Sequence, residues 1–317
     1  MRNLRFGYFV LALAAILLVF GTGCRPRRTT VDGMTRIVVA DARTTHHLNL
    51  YVAYELGIFA RYGLAVEIIE VEDLAAARDF VVSGGADVFW SCPTVAIAAI
   101  GNGAPIRTIA QVKTPCTSVL LVPPGSPINT LEDLHGRSIA GIGPVCEAVL
   151  SLTVAARAVG ATFNLQNMGG GPAIMALQAG AVDGAILEEP HASIAELAGF
   201  ERRFAEISES IPCRTINVSN RFLANNVDAL KYMIRAVDEA NEIILANPIA
   251  ENLVEIAVRY TGAPEASVIH GNHLLVFGTR IEVEGLLALT DELVLTGDIP
   301  ENPGMRMFAE EFRGITW

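Results

Sequence analysis

The chain has 317 residues, with 34 acidic and 23 basic side chains and a formal net charge of −11. Hydrophobic residues make up 51% of it, which is enough to bury a core and excludes an intrinsically disordered protein. The mean hydropathy is +0.41. Beyond the N-terminus, however, no segment offers the roughly 18 consecutive apolar residues of a membrane span, which excludes a polytopic membrane protein. The acidic balance also excludes nucleic acid as the expected partner.

The first 24 residues have the order of an export signal. Arg2 and Arg5 precede an apolar run of 13 residues, 8–20, and the small residues 21–23 lead to Cys24. A run this short is typical of a signal peptide rather than of a membrane span. Residues 21–24 resemble the lipobox of bacterial lipoproteins, which implies cleavage before Cys24 and acylation of Cys24. Loss of two arginines would change the net charge from −11 to −13. The alternative is an uncleaved anchor.

Strand and helix patterns alternate after a tether over residues 24–35. Strands are predicted over residues 37–40, 66–71 and 86–90, and helices over residues 48–61, 74–82 and 94–100. This alternation predicts an α/β lobe, in which helices cover both faces of a parallel sheet.

The alternation restarts after residues 123–125. Thr130 and Asp133 form a capping box, and strands over residues 138–142, 163–168 and 183–187 alternate with helices over residues 147–159 and 174–178. From residue 227 onward the patterns are helical, over residues 227–246, 249–260 and 282–294. Residues 82–88 and 178–184 also resemble each other, since each passes through glycine and an aspartate into a strand. These patterns predict two related α/β lobes with a cleft between them.

Several ordered motifs resemble the periplasmic binding proteins of ABC importers, in the branch with sulfonate, taurine, nitrate and thiamine-pyrimidine receptors. The motifs are VAYELGIF at 52–59, YGL at 62–64, GAD at 85–87, INTLEDLHGR at 128–137, ALQAGAVDG at 176–184 and EP at 189–190. The resemblance implies a type II two-lobe fold, with lobe 1 over residues 36–115, lobe 2 over 116–213 and a return to lobe 1 over 214–317. The strands that cross between the lobes would lie near residues 115–121 and 212–219.

The same resemblance implies a function in transport. The protein would be a monomeric receptor, not an enzyme, that closes on a small solute and delivers it to an ABC permease and its ATPase. It would lie in the periplasm or at the outer face of the cytoplasmic membrane, held by the lipid on Cys24.

The remaining four cysteines all fall at predicted cleft loops or lobe crossings, at Cys92, Cys116, Cys146 and Cys213. Free cysteine is usually a small buried hydrophobic residue, so core positions would be expected. Three interpretations stay open: two disulfides, inert thiols, or a thiolate site for a soft metal or a metal-containing solute. Cys146 precedes a predicted helix, and a helix N-terminus favours the thiolate.

Other polar residues in the same loops complete the predicted site. The predicted ligand-binding residues are His46, His47, Cys92, Cys116, Cys146, Glu189 and Cys213. The four cysteines and His46 are the predicted metal ligands, and the soft transition metal or metal cluster would be cargo; no other cofactor and no catalytic residue is predicted.

The cargo class follows from what these loops contain. Few aromatic side chains disfavour a sugar, and few basic side chains disfavour an oxyanion. One alternative is a receptor for a small organic anion or a pyrimidine, with the cysteines in disulfides. A second is a metal-dependent enzyme on the same scaffold, similar to the fungal thiamine-pyrimidine synthases.

Overall fold

The computed structural model describes residues 30–208 and 211–313. The predicted signal peptide and the predicted acylation site, Cys24, lie outside the described residues. Within the described ranges, no helix combines the length and the apolar composition needed to cross a membrane.

The first stretch of chain supplies five of the six strands of a mixed sheet, which has helices on both faces. Its strands are β1 (Thr30–Val31), β2 (Met34–Asp41), β3 (Leu64–Glu70), β4 (Val88–Ser91) and β5 (Ile106–Lys113). Its helices are α1 (Leu48–Glu55), α2 (Ile58–Arg61), α3 (Leu74–Val82) and α4 (Pro93–Gly101). The single helix predicted over residues 48–61 is two helices, because Gly57 between them adopts a left-handed φ of +64°.

The second stretch forms another sheet. Its strands are β6 (Val119–Val122), β7 (Ser138–Gly141), β8 (Asn164–Asn167), β9 (Gly184–Leu187) and β10 (Glu201–Arg203). Its helices are α5 (Glu147–Ala158), α6 (Gly170–Gln178) and α7 (His191–Leu197). Strand β7 pairs in parallel with β8 and β9, whereas β6 is antiparallel to β9 and β10. The capping box of Thr130 and Asp133 is confirmed, at a one-turn 3-10 helix, Leu131–Leu134.

The chain then returns to the first sheet. Strand β11 (Cys213–Ser219) lies between β4 and β5 and is antiparallel to both. It is followed by the helices α8 (Asn220–Leu223), α9 (Val227–Ala246), α10 (Glu251–Thr261), α11 (Glu265–Asn272) and α12 (Val283–Thr296). The protein therefore has two α/β lobes. The first contains β1–β5 and β11, and the second contains β6–β10.

The apolar runs of the central strands are explained by burial on both faces. Along β2, Ile37 and Val39 pack against α1, α9 and α10, whereas Val38 and Ala40 pack on the side of α3 and α4. Side chains alternate between the two faces of a strand, so a strand covered on both sides is apolar at every position. The second of these two clusters continues through α12 into the second lobe, where it includes Val149 of α5.

The internal sequence repeat corresponds to a repeated contact. The carboxylate of Asp87 accepts a hydrogen bond from the backbone N of Val38 at 3.0 Å, and the N–H of Asp87 donates to the carbonyl O of Val38 at 2.8 Å. Asp183 makes the same two bonds with Ser138, both at 2.8 Å. Each aspartate thus fastens the start of one strand to its parallel neighbour, β4 to β2 and β9 to β7. The two lobes share this local motif.

Candidate functional site

A cavity of about 520 Å³ lies between the two lobes. Its walls are the loops after β2, β3 and β4 in the first lobe and the loops after β7, β8 and β9 in the second. Residues 259–262, at the end of α10, contribute a further part of the wall. Parallel strands present their carboxyl ends at one edge of a sheet, and open α/β sheets bind ligands beyond that edge. The cavity therefore has the position of a ligand site.

Acidic side chains outnumber basic ones in the cavity wall. The charged residues there are Glu70, Glu72, Asp73 and Glu188 against Arg43 and Arg259. Arg43 is partly neutralised by an ion pair with Glu70 at 3.0 Å, and its guanidinium lies 5.7 Å from the ring centre of Tyr260. Burial lowers the pKa of His191, which keeps this cavity side chain neutral at pH 7. The wall is thus complementary to a neutral or cationic solute.

Two cysteines line the cavity from opposite lobes. Cys92 is the residue before α4, and Cys146 is the residue before α5. Their Sγ atoms lie within 4.8 Å of each other, and both side chains are buried in the wall. Burial, together with the hydrogen bond to Cys146, raises the pKa of Cys92. Among the described cysteines, these are the two that a solute in the cavity can contact.

The other two cysteines, Cys116 and Cys213, lie on the two connections between the lobes. Both thiols donate to the same oxygen, Oε1 of Glu147, at 3.5 Å from Cys116 Sγ and 3.4 Å from Cys213 Sγ. The hydrogen bond to Cys213 and burial raise the pKa of Cys116. All four described cysteines are free thiols in this structure, arranged as these two pairs.

Glu147 connects the two pairs. It is fully buried in the first turn of α5, and its Oε2 lies 3.9 Å from Cys146 Sγ. One set of mutually close donor atoms consists of Cys92, Cys146 and Glu147, and the other of Cys116, Cys213 and Glu147, each within 4.8 Å. The four cysteines therefore surround one carboxylate.

Arg214, also fully buried, supplies the positive charge of this cluster. Its Nη1 donates to Cys92 Sγ at 2.9 Å and to Glu147 Oε1 at 3.2 Å, and its Nη2 donates to Glu188. Burial opposes its charge, but Cys92, Glu188 and other neighbours raise the pKa of Arg214 well above the usual range. Its φ of +64° is strained for a residue with a side chain, at a cost of about 1–3 kcal/mol. The ion pairs across the lobes offset that strain.

His46 lies beside the Cys116–Cys213 pair rather than in the cavity wall. Its Nε2 is 3.0 Å from Thr117 Oγ1, and its Nδ1 is 3.6 Å from Cys213 Sγ. Burial, followed by the charges of Lys113 and Arg214, holds the pKa of His46 well below its usual range. The imidazole is therefore neutral and can accept a hydrogen bond or bind a metal.

His47 belongs to a different network. Its Nδ1 lies 2.6 Å from Asp41 Oδ1, and Tyr51 donates to Asp41 Oδ2 at 2.7 Å. Tyr51 in turn stacks on Tyr260, with ring centres 4.2 Å apart. Because Tyr260 lines the cavity, His47 supports the wall from behind instead of facing a solute.

Glu189 is turned away from the cavity, contrary to the expectation for a ligand-binding residue. Its carboxylate accepts hydrogen bonds from the N–H of Ser193 at 3.1 Å and from Arg202 Nη2 at 3.0 Å. A Cβ on Gly271 of α11 would lie only 2.6 Å from its Oε2. The backbone carbonyl of Glu189 accepts from Thr44 Oγ1 of the first lobe at 2.9 Å. Glu189 thus connects α7, β10 and the first lobe, whereas its neighbour Glu188 lines the cavity.

Two of the seven predicted ligand-binding residues, Cys92 and Cys146, therefore line the cavity. Three more, His46, Cys116 and Cys213, gather in the adjoining cluster, and His47 and Glu189 lie apart. Sequence reasoning did not select Glu147 and Arg214, although each directly follows a selected cysteine. This position next to a selected cysteine, at the start of α5 for Glu147 and of β11 for Arg214, is the sequence feature that could have identified the two residues.

A family model described as NMT1/THI5 like matches residues 44–251. Two curated relatives are both named 4-amino-5-hydroxymethyl-2-methylpyrimidine phosphate synthase. The protein from Uromyces fabae is 29% identical over 101 residues, which cover 32% of this chain and 30% of the relative. The protein from Aspergillus parasiticus is 24% identical over 223 residues, which cover 65% of each chain. The matches thus span less than two thirds of either relative.

Solved structures show the same fold at low identity. The alkanesulfonate-binding protein SsuA from Xanthomonas axonopodis pv. citri, bound to MOPS, has a TM-score of 0.74 and 16% identity, covering 84% of this chain and 95% of its own. The nitrate-binding protein NrtA from Synechocystis PCC 6803 has a TM-score of 0.74 and 14% identity, covering 88% and 86%. A zinc-bound ligand-binding component of an ABC-type import system from Staphylococcus aureus has a TM-score of 0.73 and 14% identity, covering 89% and 99%.

Proposed function

Because this chain belongs to the NMT1/THI5-like family, whose model matches residues 44–251, we propose that it is the solute-binding receptor of an ABC importer. The observation that carries the proposal is the cavity of about 520 Å³ between two lobes, at the carboxyl ends of six strands. A volume of this size suits one small solute. The predicted signal and Cys24 would place the receptor outside the cytoplasm, attached to a membrane by its lipid, next to the permease and ATPase that take its cargo.

The mechanism is closure of the lobes around the solute. Contacts between the lobes hold the closed form, such as the hydrogen bond from Thr44 to Glu189 and the ion pairs from Arg214 to Glu147 and Glu188. A solute that touches both walls binds the closed form more tightly than the open one. It therefore shifts the population toward closure, and the closed form is the one that the permease would recognise.

The wall chemistry points to a neutral or cationic cargo, or one that carries a soft metal. Carboxylates exceed guanidinium groups in the wall, and the thiols of Cys92 and Cys146 approach from opposite lobes. Thiols and thiolates are preferred ligands of soft metal ions. A metal-containing solute would therefore contact one thiol of each lobe and gain affinity only when the lobes close.

The experiment is a thermal-shift screen with a matched pair of variants. The panel contains soft metal ions, their small chelates, aminopyrimidines and alkanesulfonates. A ligand at about 100 times its Kd stabilises the protein by about 2.7 kcal/mol, which is an easily measured shift in Tm.

The variants are Gly169→Leu and Gly171→Leu. A Cβ at either glycine meets open space, neither glycine has a positive φ, and only Gly169 lines the cavity. Gly169→Leu should abolish the shift given by the cargo, whereas Gly171→Leu should retain it. If no solute shifts the Tm or the scattering radius of the wild-type protein, or if both variants respond alike, the receptor proposal is wrong.

An enzyme is the second candidate, because both curated relatives carry a synthase name. The same cavity would then hold an aminopyrimidine product. The screen separates the two candidates, since a receptor returns its bound solute chemically unchanged on denaturation, as mass spectrometry of the released solute would show. A changed solute would favour the enzyme.

A further inference from the structure

We propose that Cys116, Cys213 and Glu147 form a binding site for a soft divalent metal ion such as Zn²⁺, separate from the cargo cavity, where the two connections between the lobes meet. The three residues are buried, and none of them belongs to the cavity wall. The proposal concerns a resident ion of the hinge, so it does not depend on the identity of the cargo.

The distances between the donor atoms match those of a tetrahedral site. Zn–S bonds of about 2.3 Å and Zn–O or Zn–N bonds of about 2.1 Å, at tetrahedral angles, place neighbouring donor atoms about 3.6 Å apart. Cys116 Sγ and Cys213 Sγ lie 3.5 and 3.4 Å from Glu147 Oε1. The three donor atoms already lie within 4.8 Å of one another. An ion would therefore need little rearrangement of these side chains.

His46 offers the fourth donor. Its Nδ1 lies 3.6 Å from Cys213 Sγ, which is again the spacing of two donors on one tetrahedral ion. Its other ring nitrogen, Nε2, lies 3.0 Å from Thr117 Oγ1. When the Nε2–H donates to this hydroxyl, the lone pair is left on Nδ1. Hydrogen bonds of this kind orient the histidine ligands of metal sites.

The charge of the cluster favours exchange of two protons for a divalent ion. With both thiols protonated, the carboxylates of Glu147 and Glu188 balance the cations Arg214 and Lys113, which lie beside them. Binding of one divalent ion by two thiolates releases two protons and leaves the total charge unchanged. A buried site therefore accommodates the ion without an uncompensated charge.

The position of the ligands predicts what the ion does. Cys116 lies on the outgoing connection, Cys213 on the returning one, His46 in the first lobe and Glu147 in the second. One ion would join all four segments. Because the ligands come together in the closed arrangement, the ion stabilises that arrangement relative to the open one.

The test is titration of the reduced, metal-free protein with Co²⁺, with Zn²⁺ as competitor. Tetrahedral Co²⁺ has intense visible bands, and thiolate ligands add a near-ultraviolet charge-transfer band. In the double variant with Cys92→Ser and Cys146→Ser, which lacks the cavity thiols, we expect one Co²⁺ per chain, two protons released per ion in weakly buffered solution, and displacement of Co²⁺ by Zn²⁺. Octahedral Co²⁺ spectra in the wild-type protein would overturn the proposal.

Matched cysteine variants locate the site. Cys116→Ser and Cys213→Ser should each lose the charge-transfer intensity of one thiolate and bind Co²⁺ at least about tenfold more weakly. The double variant with Cys92→Ser and Cys146→Ser should keep the tetrahedral bands and the charge-transfer intensity of the two hinge thiolates, because it removes the cavity thiols alone. Circular dichroism and the metal-free Tm check that each variant is folded.

Each of three outcomes would contradict the assignment. The first is loss of the thiolate–Co²⁺ spectrum in the double variant with Cys92→Ser and Cys146→Ser, and the second is an unchanged spectrum in Cys116→Ser and Cys213→Ser. The third is a disulfide between Cys116 and Cys213 in the purified protein. The variant His46→Gln, which retains an amide to bond Thr117, should weaken binding of Co²⁺ while the two-thiolate intensity remains. Full affinity in this variant would remove His46 from the site.

Discussion

Replacing Arg214 by methionine should open the two lobes. Arg214 is fully buried on β11 of the first lobe, and its partners Glu147 and Glu188 belong to the second lobe. The variant Arg214→Met fills a similar volume and keeps the same strained backbone position. It therefore removes the positive charge while the backbone cost stays the same.

The magnitude follows from the carboxylate left behind. Removal of one partner of a buried ion pair costs about 3–5 kcal/mol, because the other charge stays buried and unpaired. Opening of the lobes lets water reach Glu147, so the closed form alone suffers this cost. At about 1.4 kcal/mol per factor of ten, a loss of 3 kcal/mol lowers the ratio of closed to open molecules about 150-fold.

Small-angle X-ray scattering measures the result. The ligand-free variant should have a larger radius of gyration than the wild-type protein. Its Tm should fall by less than the full ion-pair cost predicts, because opening lets water reach the unpaired carboxylate of Glu147. The double variant with Glu147→Leu removes both charges and should return toward the wild-type radius.

Arg306→Met is the matched control, since Arg306 pairs with Glu301 on the surface, with 71% and 72% of the side chains exposed. It should change neither quantity. A radius and a Tm equal to wild type in Arg214→Met would refute the reasoning.

Three further results are expected. Thr44→Val removes the 2.9 Å hydrogen bond to the carbonyl of Glu189, and at about 1 kcal/mol should weaken cargo affinity about fivefold. It also removes the N-cap bond that Thr44 Oγ1 accepts from His46 N at 3.3 Å, so the metal-free Tm should fall by the equivalent of about 1 kcal/mol. Glu189→Gln weakens the charged bond to Arg202 and should lower the free energy of unfolding by about 2 kcal/mol, while an intact cargo affinity would confirm that Glu189 does not touch the solute. Burial depresses the pKa of His191 below its unfolded value, so the contribution of this side chain to stability is present above pH 6.5 and is lost as the pH falls below that value. In His191→Gln, a plot of Tm against pH should therefore be flatter below pH 6.5. A slope equal to that of the wild-type protein would contradict this expectation.

Local patterns predicted most of the elements, and the failures have physical causes. Helices α3 and α9 begin and end where the periodicity placed them, at Leu74–Val82 and Val227–Ala246, since each repeats apolar residues on one face. Strand β5 was missed because Arg107, Thr108 and Gln111 interrupt its apolar residues without a regular alternation, and because it lies between segments interpreted as loops. Helix α11 was missed because its short sequence carries no clear apolar face.

The candidate site was predictable in position but only partly in composition. Because loops at the carboxyl ends of parallel strands converge, Cys92 and Cys146 could be assigned to one cleft from strand order alone. Glu188 and Glu189 are adjacent, and no local pattern distinguishes which one faces the cavity. That choice depends on Arg202 and Ser193, which hold the carboxylate of Glu189 on the other side.

The sequence by itself determined the two-lobe class of fold, the order along the chain of the six strands whose loops line the cavity, and the placement of every described cysteine outside helix and strand interiors. It could do so because periodicity and turn residues act over short distances. Strand order already assigned Cys92 and Cys146 to the cleft and Cys116 and Cys213 to the crossings. Tertiary structure alone decided that both pairs meet at the buried carboxylate of Glu147 and at the guanidinium of Arg214, through contacts that join residues more than 60 positions apart. A buried carboxylate must be matched by donors and a cation wherever the fold brings them together, and this requirement organises the cluster.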